Sequence, residues 1–144
     1  MKKMLIGFLT LGCVSAFAFP TGDGDRLSNI GSKTKLKVLS DLYVAPNRLH
    51  IALGKHCFLH LAAAKDFERV LSAGSILRVQ GSVKAMTVVA AKGKLYEADV
   101  LYLDNENVRS LYCKTGKREI FTIQDFKNDM LEILEVERAD IRRI

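Results

Sequence analysis

Residues 76–103 read ILRVQGSVKAMTVVAAKGKLYEADVLYL, and the period of this stretch decides the fold class. Leu77, Val79, Gly81, Val83 and Ala85 alternate with Arg78, Gln80, Ser82 and Lys84, the two-residue repeat of a strand with one buried face. Gly81-Ser82 either turns the chain or bends one long strand through a bulge. Lys92-Gly93 is the clearer hairpin signal, and it joins 86–91 to 95–103, where Tyr96, Ala98, Val100 and Tyr102 share a face. Glu97 and Asp99 then fall together on the other face. Two carboxylates so placed resemble the acid pair of glycoside hydrolysis, but their alternation with apolar residues reads as a solvated outer surface.

Upstream, Leu36, Val38, Leu42 and Val44 alternate with polar positions, so 35–44 reads as a strand. Lys33, Lys35 and Lys37 fall on one of its faces. They read either as guards of an edge strand or as a basic stripe for an acidic partner. Pro46-Asn47 turns the chain, and Leu49, Ile51 and Leu53 return with His50 outward. After Gly54, Cys57, Leu59 and Leu61 share one face of a further strand while His56, Phe58 and His60 share the other. Phe67, Val70 and Leu71 are at helical spacing, which predicts a short helix over 62–73 that ends at Gly74 and offers cover for Phe58.

Downstream, 104–107 is a turn and 108–113 a strand that ends at Cys113. Thr122, with Asp125 three residues on, predicts a capped helix. It either runs on with Phe126, Met130 and Leu134 as its buried stripe or stops near Asp129 and is followed by a last strand over 131–136, the arrangement favoured here. The fold expected is mainly β, or α+β: a small twisted antiparallel sheet curled into an open barrel or sandwich, with one short mid-chain helix and a short C-terminal helix. The helix between strands makes an oligonucleotide/oligosaccharide-binding barrel one candidate, by analogy of element order alone.

The ends have their own signatures. Lys2 and Lys3, an apolar run from Met4 to Leu11 and Ala16-Phe17-Ala18 form a bacterial-type secretory signal over 1–18. Lipidation of Cys13 is the competing arrangement, and it would leave the Ala16-Phe17-Ala18 cleavage pattern idle. Residues 19–34 read as a flexible lead-in, 35–137 as one disulfide-stapled domain and 138–144 as a polar tail. No transmembrane segment is expected. The protein is expected to be periplasmic or secreted, where disulfides persist, and Cys57 and Cys113 are then the two cysteines left to pair.

From Phe19 to Lys94 the chain carries twelve Lys/Arg against five Asp/Glu, and from Leu95 onward eight against eleven. The basic half suits an acidic envelope polymer or protein. Specific nucleic-acid binding is not expected, because no Arg/Lys cluster interleaves with aromatics. A metal through His56 and His60, with His50 as third ligand, is disfavoured on a strand, where four residues span about 13 Å. Catalysis by Cys57 is disfavoured because adjacent strand residues point to opposite faces and a disulfide consumes the thiol. No nucleophile elbow, phosphate loop or dinucleotide fingerprint is present, and no cofactor is expected. The expectation is a non-catalytic binding or structural module with Lys33, Lys35, Lys37 and Phe58 as its candidate surface. The alternative is an exported hydrolase or metal-binding protein that uses His56 and His60.

Overall fold

The computed structural model describes residues 24–89, 93–115 and 120–141. The secretory signal over 1–18, with Cys13, lies outside the described residues. The elements are β1 (Lys35–Val38), β2 (Leu42–Val44), β3 (His50–Leu53), β4 (Cys57–Leu61), β5 (Arg69–Leu71), β6 (Ile76–Val89), β7 (Leu95–Asp104), β8 (Val108–Lys114), α1 (Ile123–Asp129) and β9 (Leu134–Arg138). Seven strands form one antiparallel sheet in the order β3-β4-β8-β7-β6-β1-β9, curled into a half-barrel. β2 and β5 pair as a separate ribbon. The expected class is therefore adopted.

The alternation read from 76–103 becomes a single long hairpin. β6 bends at Gly81 without turning back, and its register against β7 shifts between Val79 and Gly81 and again between Val83 and Met86. Bulges of this kind add twist and let a strand curl. The inner face of the curled sheet carries Leu36, Val38, Leu53, Leu59, Leu77, Val79, Leu101 and Leu111, all buried. Each such side chain contributes on the order of 1.5–3 kcal/mol on leaving water.

α1 adds Ile123 and Phe126 to the same core, together with Met130 just beyond its end. It is capped as expected: Asp125 N–H donates to Thr122 Oγ1 at 3.0 Å, and Thr122 N–H donates to the Asp125 carboxylate at 2.9 Å. The short helix and a strand after it both form, the strand beginning at Leu134 after a turn over 130–133.

Four expectations are corrected. The mid-chain helix over 62–73 is absent, and with it the element on which the oligonucleotide/oligosaccharide-binding analogy rested. Of its apolar stripe only Leu71 is buried, while Phe67 and Val70 are exposed. Pairing of Arg69–Leu71 with β2 supplies backbone partners that a helix of two or three turns could not match, since short helices are marginal alone.

The strand over 35–44 is broken at 39–41, and Val38 and Leu39 at the break are held from two sides. Val38 N–H donates to Ser75 O, Gly74 N–H to Val38 O and Leu39 N–H to Ile133 O.

The lead-in is part of the fold from Arg26 onward. Leu27 and Ile30, three residues apart, bracket a 3-10 turn that directs both into the core. The tail too is tied down, since Ile141 bridges to Ile30 and Asp140 O accepts from Gly31 N–H.

Candidate functional site

Strand register decides how the histidine–cysteine stretch is arranged. Cys57 stands directly opposite Cys113 in the β4–β8 ladder, and the two are bonded. Both are buried, with Leu59 and Leu61 on the same face, as alternation predicts. The bond closes a separation of 56 residues, which on the chain-entropy model stabilises the fold by roughly 4 kcal/mol.

On the other face the three histidines divide between two places. His60 pairs with His50 across β3 and β4, and their rings stack with centroids 4.9 Å apart. Burial holds both imidazoles below their ordinary pKa; for His60 the nearby His50 and Arg109 add to the effect. His56 lies in the turn before β4, beside α1, where its Nδ1 is 3.5 Å from Asp129 Oδ2. His56 and His60 thus line separate clefts. Among the described residues, no three His, Cys, Asp or Glu side chains cluster as a metal site.

Asp129 organises the His56 turn. Its carboxylate accepts from Lys55 N–H at 2.9 Å and His56 N–H at 3.0 Å. The turn needs Gly54, whose φ is +63° and whose Cβ, if present, would lie 2.6 Å from the Asp129 carbonyl oxygen. The cleft beside this turn has a volume of about 680 Å3, and Lys55, His56, Tyr96, Lys114, Phe121 and Asp129 are among its lining residues.

Phe58, expected as part of a surface, is half-buried and stacks on Tyr112 at 5.4 Å. No helix covers it. Lys114 Nζ sits 5.6 Å from the centre of the Phe58 ring and 4.5 Å from that of Tyr96, so one cation serves two rings.

The lysine stripe is not at an edge. β1 lies between β6 and β9, so guarding a free edge does not explain its lysines. Lys35 stands opposite Arg78 on one side and Arg138 on the other, which puts three cations in one row across three strands. Among the described residues no ion pair neutralises any of them. Like charges directly opposite cost stability. Lys37 differs, because its β9 neighbour is Glu135. Lys33 is exposed in the turn before β1.

The sequence reading misplaced Asp99. Glu97 is exposed as expected, but Asp99 is fully buried. Arg26 donates to both of its oxygens at 2.9 Å, Ala85 N–H donates at 3.1 Å and Ser28 N–H at 3.3 Å. Burial pushes this carboxyl up. The Arg26 hydrogen bonds and charge and the two amides outweigh burial and hold it below the ordinary carboxylate range. The approach of Arg26 and Ser28, 73 and 71 residues away in sequence, and of Ala85 distinguishes Asp99 from Glu97, and no local pattern carries that signal. Comparison with known proteins returned no matching family model, no matching curated protein and no matching solved structure.

Proposed function

We propose that the protein is an exported, non-catalytic binding module that holds an acidic envelope polymer or protein against the basic stripe on β1. The row Arg78–Lys35–Arg138 carries this reading. Three cations stand side by side, and although Asp104 lies opposite Arg78 on β7, no ion pair among the described residues neutralises them. Such a row works against the fold, and an anionic partner would reverse that cost. The disulfide between Cys57 and Cys113 is consistent with an oxidising location outside the cytoplasm. No helix among the described residues is long and apolar enough to cross a membrane.

The test is binding to polygalacturonate and to polyglutamate, measured against salt. Affinity is expected to fall as ionic strength rises, and to fall further when Lys35 and Arg78 are replaced by serine. The same substitutions should leave stability equal or higher, because they relieve repulsion. Binding that is absent, or indifferent to both salt and substitution at Lys33, Lys35 and Lys37, would sink the proposal.

One observation favours a second reading. The His56 imidazole beside the Asp129 carboxylate, in an open cleft, has the base-and-orienter arrangement that hydrolases use. That reading predicts turnover of chromogenic esters or glycosides that disappears in His56→Ala while the fold is retained. A wild-type protein inert towards both would retire it.

A further inference from the structure

The β6–β7 hairpin outgrows the sheet that supports it. Pairing of β1 with β6 ends at Arg78, and pairing of β8 with β7 begins at Ala98. The Asp99 carboxylate still holds Ala85, and the Glu97 carbonyl still accepts from Thr115 N–H. Beyond these ties, residues 88–89 and 95–96 find ladder partners only in each other among the described residues. A two-stranded ribbon in water is marginal by itself, and this one ends on apolar side chains. Val89 and Leu95 face each other across the ribbon, and they are 59% and 63% exposed. Val88 and Tyr96 form the next pair, on the opposite face.

Charge surrounds the apolar end. Lys94 and Lys114 bring their ammonium groups within 5.9 and 4.5 Å of the Tyr96 ring centre, and Lys84 is exposed on the same arm. Glu97 is the carboxylate among them. An exposed aliphatic pair, a tyrosine next to it and an excess of lysines supply the chemistry that meets the acyl region, the interface and the anionic headgroups of a lipid surface.

We infer that this arm is a membrane-docking wedge, which inserts Val89 and Leu95 into an anionic lipid surface while Lys94 and Lys114 contact the headgroups. The wedge is separate from the cation row on β1. Its occupant is lipid rather than a second copy of the chain, because lysines on facing arms would repel one another.

The chain contains no tryptophan, so Leu95→Trp installs a single reporter at the tip. With vesicles of phosphatidylcholine containing phosphatidylglycerol, its emission should shift to the blue and be quenched by brominated acyl chains. The unmodified protein should sediment with the same vesicles, and much less with pure phosphatidylcholine. Val89→Ser with Leu95→Ser should weaken sedimentation about tenfold or more without altering charge. Lys94→Gln should weaken it about fivefold. Two results overturn the inference: no spectral shift or sedimentation at low salt, or sedimentation that the double serine variant leaves unchanged. A concentration-dependent dimer that the double serine variant dissolves would assign the tip to a second copy instead and overturn it equally.

Discussion

The base and the tip of the β6–β7 hairpin are cut from the same two strands, yet they meet opposite environments. At the base, Asp99 lies beside Cys113 in the ladder, and Cys113 is bonded to Cys57 on the next strand. The segment around Arg26 and Ser28 closes over this row and satisfies the carboxylate. At the tip, Glu97 and Leu95 continue the same face of the same strand and stay in water. Strand chemistry alone does not explain the difference. It arises because a distant piece of chain arrives at one end of the hairpin and not at the other.

The largest break in that contrast should come from the disulfide that backs the base. Replacing Cys57 and Cys113 together by serine is expected to cost roughly 4 kcal/mol, read as a lower urea midpoint with little change in slope. A loss below about 1 kcal/mol would mean that the β4–β8 ladder holds the base unaided.

Arg26→Met tests the buried pair itself. It leaves the Asp99 carboxylate in the interior with two amides and no counter-charge, and should cost on the order of 3 kcal/mol in urea unfolding. An unchanged midpoint would show that the two amides suffice.

Acid sharpens the comparison without mutation. Asp99 titrates below its ordinary value of 3.8 in the folded chain. The unfolded chain therefore binds that proton first, and stability falls as pH drops below about 4. His50 and His60 titrate below their ordinary value of 6.5, so the unfolded chain again takes up protons first. This gives an earlier and shallower loss as pH falls through about 6.5. Urea midpoints against pH should show both steps, with the lower one missing in Asp99→Asn and the upper one in His50→Gln with His60→Gln.

The smallest effect belongs to the exposed neighbour. Glu97→Ala should change stability by no more than about 0.5 kcal/mol. A larger loss would put Glu97 in the same network as Asp99 and dissolve the distinction between base and tip.

Local pattern was sufficient wherever one face of an element meets the core. The two-residue repeat of 76–103, the shared face of Cys57, Leu59 and Leu61, and the Thr122–Asp125 cap each depend on neighbours within a few residues. The same pattern misled over 62–73, where Phe67, Val70 and Leu71 are spaced for a helix but β2 supplies strand partners. It misled again at Lys35, since the sequence carries no sign of which strands flank β1.

By itself, then, the sequence determined a β-rich domain, which side chains alternate inward, the pairing of Cys57 with Cys113, and a basic first half. These follow from composition and short-range period. Tertiary structure alone decided that Lys35 would stand between two arginines, that His60 would meet His50 rather than His56, and that Asp99 would be buried while Glu97 is not. Each of those outcomes depends on strand order or on a contact spanning many residues, and a short-range pattern is blind to both.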